Sequence, residues 1–326
     1  MKILSTVAER IVVSAISILL STHCDDRNGQ LTASKPVNAA EDSLWKAPDT
    51  SLIPTTGEGS LIRYGRELIV HTSRYLGPKG KVMQISNGMN CQNCHLDAGT
   101  RPWANDFAAV VSTYPKYRER SGSVETIEKR INDCMERSLN GKPLDNAAKE
   151  MRAMVAYISW LGKDVPKGKI PPGTGIKTLQ YLKRAADPGK GQIIFKGKCQ
   201  VCHGSNGEGR IDPQTGDYLF PPLWGSHSYN SGAGIYRLSR SAGYVKYNMP
   251  FGQAITTGQK LADEACWDVA AFINSQPRPA KDLSGDWPTI KNKPTDYPFG
   301  PYADTFTERR HKYGPFSNPA ITRSIH

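Results

Sequence analysis

Apolar residues recur at helical spacing in several stretches of the chain, each marking a helix with one buried face. Leu61, Leu68, Ile69, Thr72 and Leu76 form the first set, and Ser60 is placed to cap that helix. A second helix is predicted over 124–139. Ser123 is its N-cap, Glu125 and Glu128 sit near the positive end of its dipole, and Asn140-Gly141 stops it. A third is predicted over 146–161, capped by Asp145, with Met151, Met154, Val155, Ile158 and Leu161 on one face. Asp187-Pro188 opens a further helix through Ile193, Ile194 and Phe195, proline being suited to the first helical position. A last one, over 263–275, carries Trp267, Val269, Ala270, Phe272 and Ile273.

Two short sequences punctuate this pattern: Cys91-Gln92-Asn93-Cys94-His95 and Cys199-Gln200-Val201-Cys202-His203. Cys-x-x-Cys-His is the attachment signal of a c-type haem. The thiols of Cys91 and Cys94, and of Cys199 and Cys202, are spaced to add to the two vinyl groups of a haem. His95 and His203 follow where an imidazole reaches the iron. A zinc site would instead close both cysteine pairs around one ion, whereas each pair here has its own histidine. Two covalently attached haem c groups are therefore expected.

Helix, haem motif, loops and closing helix occur twice, an internal duplication of organisation. The plan resembles the class I cytochrome c fold and predicts a mainly α protein with two such domains in tandem. The first is expected over 46–165 and the second over 178–280, joined by the Pro/Gly-rich linker 166–177. Residues 281–326 form an irregular C-terminal tail whose aromatics, Trp287, Tyr297, Phe299, Tyr302, Phe306, Tyr313 and Phe316, argue that it docks on the domains.

Residues 1–24 read as an export signal: Lys2 and Arg10 precede a ten-residue apolar run, Ile11 to Leu20, too short to span a bilayer. A polar linker, 25–45, follows. Export suits covalent haem attachment and predicts a periplasmic protein with no integral membrane span. His23, just before Cys24, is not the small residue a lipid-attachment site requires, so lipid anchoring is not expected. The formal charge of +12 comes without a nucleic-acid motif or a dense basic run. It fits a soluble protein that attracts an anionic substrate or partner.

The far side of each iron decides the chemistry. For the second haem, Met249 is the only methionine in its domain and lies in a loop-like Asn248-Met249-Pro250. His/Met ligation suits electron transfer; His227 and Lys246 are its rivals. For the first haem, Met83, Met89, Met135, Met151, Met154, His71 and Cys134 are all candidates. Arg130, Cys134 and Ser138 recur at i, i+4, i+8, along one stripe of one helix, and an arginine one turn away favours a thiolate. A thiolate ligand, a small buried cysteine and a disulfide to Cys266 all remain open for Cys134. Arg118 and Arg120 precede this helix and, with Arg130, could frame an anion pocket.

From about residue 46 to 320 the chain resembles the di-haem thiosulfate dehydrogenases of the TsdA type. The resemblance is carried by Asn90-Cys91-Gln92-Asn93-Cys94-His95-Leu96-Asp97-Ala98-Gly99-Thr100, by Tyr117-Arg118-Glu119-Arg120 and by Arg130-Ile131-Asn132-Asp133-Cys134-Met135-Glu136-Arg137-Ser138. In the tail it is carried by Pro298-Phe299-Gly300-Pro301-Tyr302-Ala303-Asp304 and His311-Lys312-Tyr313-Gly314-Pro315-Phe316. The resemblance implies that His95 and Cys134 ligate a catalytic haem and that His203 and Met249 ligate an electron-transfer haem. It implies that Arg120, Arg130 and Ser138 line the substrate site. The reaction it implies joins two thiosulfates into tetrathionate and releases two electrons to a soluble c-type cytochrome or similar acceptor. Some members exchange a lysine for the methionine at the second haem; here Asn248 precedes Met249, and no ligand switch is carried over. A di-haem electron carrier, a di-haem peroxidase and a SoxA-like sulfur-oxidation subunit are the competing readings.

Overall fold

A computed structural model describes residues 44–254 and 258–316. The expected export signal, Cys24 and nearly all of the 25–45 linker lie outside the described residues.

Six longer helices carry the fold: α1 (Gly57–Val70), α2 (Ile127–Arg137), α3 (Lys149–Leu161), α4 (Pro188–Lys198), α5 (Leu238–Asn248) and α6 (Asp263–Ser275). In the first lobe α1 crosses α3. The crossing is close because residue 65 is glycine: a Cβ there would lie 1.9 Å from the Ala153 carbonyl oxygen. The second lobe repeats the device, since a Cβ on Gly191 of α4 would lie 1.9 Å from the Asp268 oxygen of α6. Each crossing buries its own core. Leu68, Leu76, Met151, Met154 and Tyr157 fill the first, and Phe195, Leu238, Trp267, Val269 and Ala270 the second. Each such fully buried large side chain contributes about 1.5–3 kcal/mol. The fold is thus two mainly helical lobes built on one plan, with two small hairpins.

The helix boundaries differ from the sequence expectation in instructive places. α1 starts at Gly57 behind Thr56, so Ser60 lies inside the first turn rather than at the cap. It ends at Val70, and a separate short helix, Thr72–Leu76, follows His71. Val124 and Glu125 are not helical. Ser123–Glu125 pairs antiparallel with Lys116–Arg118, and Thr126 is the cap, its Oγ1 accepting from the Lys129 N–H at 3.3 Å. Asp145 caps a turn ahead of α3, accepting from the Ala147 N–H at 2.9 Å, and the helix begins only at Lys149. Asp187 caps α4 as expected, accepting from Gly189 and Lys190, and α6 spans the expected residues.

α5 was not expected. Its Ser239, Ser241 and Gly243 are weak helix formers, and its N-cap residue, Arg237, makes no side-chain cap bond. Tertiary packing of Leu238, Ala242 and Val245 against α6 stabilises it. Its other faces meet the first lobe: the Tyr244 hydroxyl donates to the Asn93 oxygen at 3.4 Å, and Asn248 Nδ2 donates to the Trp103 oxygen at 3.2 Å. The 166–177 segment is also sewn down. Trp103 and Asn105 donate backbone N–H groups to Gly173 and Gly175, and Asp106 accepts from the Gly175 N–H at 2.9 Å. The tail lies across both lobes. Trp287 N–H donates to the Arg120 oxygen at 2.7 Å, and Asp286 takes a forked pair of hydrogen bonds from Arg137 at 2.7 and 2.8 Å. Phe316 enters the second core against Trp267 and Tyr181.

Candidate functional site

The first Cys-x-x-Cys-His motif is held by two sets of hydrogen bonds. Asn90 and Asn93 form a reciprocal capping box around the turn, and the Cys91 N–H donates to Thr72 Oγ1 at 3.0 Å. The chain then turns through three consecutive positive-φ residues, Asp97 (53°), Ala98 (58°) and Gly99 (81°). Such left-handed turns cost of order 1–2 kcal/mol per non-glycine residue, and here they swing Phe107 back over the motif. Its ring stacks on His95 with centroids 4.5 Å apart.

His95 Nδ1 contacts the Asn105 carbonyl oxygen. A carbonyl only accepts, so Nδ1 carries the proton and Nε2 keeps its lone pair. Burial pushes the imidazole down to about 4, so the ring is neutral. His203 is arranged in the same way, Nδ1 donating to the Pro221 oxygen at 2.8 Å, and its burial also lowers its pKa. A neutral histidine with Nδ1 fixed by a carbonyl and a lone pair on Nε2 is the donor that a haem iron takes; at His95 that lone pair faces the Asn105 amide Nδ2 at 3.3 Å, a contact that iron binding would replace. Both motifs fit the group that their spacing implies.

A cavity of about 340 Å³ opens beside the first motif. Cys91, Cys94 and His95 line it, as do Arg120, Arg130, Cys134 and Ser138, so all of the sequence-predicted residues of the first site converge there. Of the sulfur candidates, Met89, Met135 and Met154 also touch the cavity but are packed into the core at 1% exposure or less. Met83 and Met151 pack on the same core away from it, and His71 is engaged with Asp217 of the second lobe at 3.3 Å. A Cys134–Cys266 disulfide does not form; Cys266 is fully buried in the second core.

The two arginines of the resemblance differ in company. Arg120 Nη2 pairs with Asp133 Oδ2 at 2.8 Å, both side chains being buried. The Arg130 side chain has no hydrogen bond or ion pair among the described residues. Its guanidinium is held more firmly charged than a free one, chiefly by the neighbouring Cys134 sulfur, with burial opposing. The sequence reading missed the opposite wall. Arg237, Arg240 and Tyr244 of α5 and Tyr297 of the tail line the same cavity. Arg237 is held by the buried Asp296, which accepts from its Nε at 3.0 Å. Leu238, Ala242 and Val245 at i, i+4, i+7 could have revealed α5, and with it the shared face of Arg237 and Arg240. With Arg118, five arginines and one acid, Asp106, line this space; Glu125, Asp133 and Asp296 pair with Arg118, Arg120 and Arg237 from behind the lining.

The second site is simpler. Met249 follows α5 directly and packs with Cys199 against the second core. Lys246 Nζ is occupied by the Leu261 oxygen at 2.7 Å and the Asp263 carboxylate at 2.6 Å. His227 is exposed.

The family profile of the SoxA/TsdA cytochrome c domain matches residues 81–166, and that of cytochrome c matches residues 189–277. A thiosulfate dehydrogenase of Psychrobacter arcticus is 41% identical over 79% of this chain and 76% of its own length. The chain belongs to the thiosulfate dehydrogenase family. Another member, from Allochromatium vinosum, is 40% identical over 73% of this chain and 86% of its own. The thiosulfate dehydrogenase TsdBA of Marichromatium purpuratum, solved in its as-isolated form, superposes with a TM-score of 0.67 at 33% identity. That match covers 74% of this chain, which spans about half (51%) of the longer TsdBA chain. A SoxA subunit of Rhodovulum sulfidophilum matches over only 36% of this chain, at 28% identity. With two cytochrome c domains of this family, the chain carries two covalently bound haem c groups.

Proposed function

We propose that the arginine-lined cavity of the first lobe is where two thiosulfate anions are joined into tetrathionate. The chain is an enzyme, a thiosulfate dehydrogenase, and each turnover releases two electrons. His95 and Cys134 hold the first haem iron, and His203 and Met249 hold the second. When bound, the haems supply two one-electron acceptors.

The observation that carries this site assignment is Arg130, a cation on the cavity wall beside Cys134 that makes no hydrogen bond or ion pair among the described residues. Two dianions repel each other, and fixed positive groups in a confined space offset that repulsion where it is greatest, at the forming sulfur–sulfur bond. Arg130 and Arg120 bind the sulfonate ends. Ser138, one turn beyond Cys134, orients one of them through its hydroxyl. Cys134 stands at the reacting sulfur. Support for Met249 over Lys246 as the second ligand comes from the two partners that already occupy the lysine.

The enzyme works in the periplasm and passes its electrons to a soluble c-type cytochrome or similar acceptor. The apolar run of residues 1–24 and the covalent haem attachment support that reading, and no helix among the described residues is long and apolar enough to cross a membrane. The test adds thiosulfate and an artificial acceptor to the oxidised holoprotein. Wild type is expected to form tetrathionate and Cys134→Gly to lose turnover while keeping both haems. No wild-type turnover, or a variant at full rate, overturns the proposal.

A further inference from the structure

Helix α4 presents a face that the reaction does not use. Gly191 and Phe195 turn inward to α6 and the core. The helical period then sends Ile193 and Gly197 to the opposite side. Ile193 is 73% exposed, and a Cβ added at Gly197 would meet nothing within 4 Å. The backbone stays right-handed helical at Cys199, so the line continues to Val201, which is 64% exposed. Val201 stands between the two thiols, Cys199 and Cys202, of the second haem motif. Single exposed apolar residues are ordinary. This set is different in being aligned along one side of the helix and in leading to the thiols of the second haem motif.

The flanks of the stripe carry charge of one sign. At about 100° per residue, Lys190 and Lys196 lie roughly 60° to either side of Ile193, and Lys198 stands in the last turn. All three are exposed, none has a carboxylate partner among the described residues, and α4 contains no acidic residue. The basic flanks select an acidic partner, and the exposed apolar centre suits a protein surface rather than a small anion.

We infer that the Ile193–Gly197–Val201 stripe, with Lys190, Lys196 and Lys198, is the docking face for a small acidic electron-transfer protein that takes electrons from the second haem. This rests on the proposed role of that haem as the outlet. Complementary charge speeds and orients the encounter, and the apolar centre would bring the partner close to Cys199 and Cys202, the thiols that would carry the second haem.

The test follows thiosulfate oxidation by the holoenzyme with three acceptors: an acidic soluble c-type cytochrome, a basic one, and the small cationic complex tris(phenanthroline)cobalt(III). Lys190→Glu/Lys196→Glu and Ile193→Gln are compared with Lys79→Glu/Lys81→Glu, a pair of equal charge change on exposed lysines of the first lobe. The expected result is a KM for the acidic cytochrome raised about tenfold by the first variant, with a weakened salt dependence. Ile193→Gln raises that KM less and leaves the salt dependence intact, and turnover with the cobalt complex is unchanged in both. An unaltered KM, an equal loss in the first-lobe control, or wild-type preference for the basic cytochrome overturns the docking face. Wild-type failure with the cobalt complex overturns the enzymatic reading, and the docking face with it.

Discussion

Arg120 and Arg130 lie ten positions apart and share one cavity, yet their surroundings assign them different burdens. Arg120 shares the buried Asp133 with Lys129, whereas Arg130 makes no hydrogen bond or ion pair among the described residues and is held charged chiefly by the Cys134 sulfur, with lesser help from Tyr114, Asp133 and Glu125. Removing Arg120 leaves Asp133 to Lys129 alone, a more exposed partner whose Nζ lies 2.9 Å from its other oxygen, and forfeits a hydrogen bond between charged groups worth about 1.5–3 kcal/mol. Arg120→Gln is therefore expected to lower both kcat/KM for thiosulfate and the midpoint of chemical denaturation. Arg130→Gln is expected to lower kcat/KM by at least about 10²-fold, as for loss of a charged group aimed at a reacting centre, with the denaturation midpoint kept. Cys134 shows how far residues alone could be read. Its helical stripe with Arg130 and Ser138 was legible, because i, i+4 spacing is local geometry. Which sulfur faces the first motif was not, because Met89, Met135 and Met154 have equally suitable chemistry and only packing sorts them.

At the scale of elements, both lobes turn on a glycine at a helix crossing. Gly65 and Gly191 are unremarkable in sequence, and a glycine inside a helix reads as a weakness of roughly 1 kcal/mol. In the fold each is the point where two backbones touch. Gly191→Ala would place a methyl 1.9 Å from the Asp268 oxygen and 2.8 Å from Phe272 Cβ. The crossing must open, and a loss of about 1–3 kcal/mol or more is expected. Thermal unfolding of the holoprotein measures it, and a stabilised variant would contradict the crossing. The helix starts were less legible for a related reason. Ser60, Ser123 and Asp145 are good caps chemically, but pairing of Ser123–Glu125 with Lys116–Arg118 and a turn at Asp145 claimed two of them first.

On the scale of the whole molecule, the tail and α5 join the lobes. Asp296 of the tail, fully enclosed, accepts from Arg237 and from the Ser239 N–H and hydroxyl. Arg237 holds its carboxyl below the usual range against the opposing effect of burial. Asp296→Ala is expected to free the tail and to leave Arg237 unpaired on the cavity wall. Limited proteolysis within 281–316 should accelerate, and thiosulfate turnover should fall with it. Asp106, which ties the inter-lobe segment down at Gly175, is pushed up by burial to about 6. The folded protein thus keeps a proton that the unfolded chain releases between 3.8 and about 6. Its contribution to stability is full below that window and is lost as pH rises through it. Asp106→Asn should flatten the stability profile there, as read by denaturation midpoints from pH 4 to 7.

Covalent spacing is a property of the chain itself, so the two haem attachments, their histidines and the duplicated helical plan followed from the sequence alone. So did the stripe of Arg130, Cys134 and Ser138, because one helical turn relates neighbours whatever surrounds them. Convergence is not local. The wall made by Arg237, Arg240 and Tyr297, the pairing of Arg120 but not Arg130, and the neutral Nδ1-fixed histidines depend on groups brought together only by packing. Arg237 and Cys134 are about a hundred residues apart, and contacts at that separation leave no period along the chain. Tertiary structure alone decided that one weakly helical segment, α5, lines the cavity beside the first haem motif with its side chains and delivers Met249 from its end to the second core.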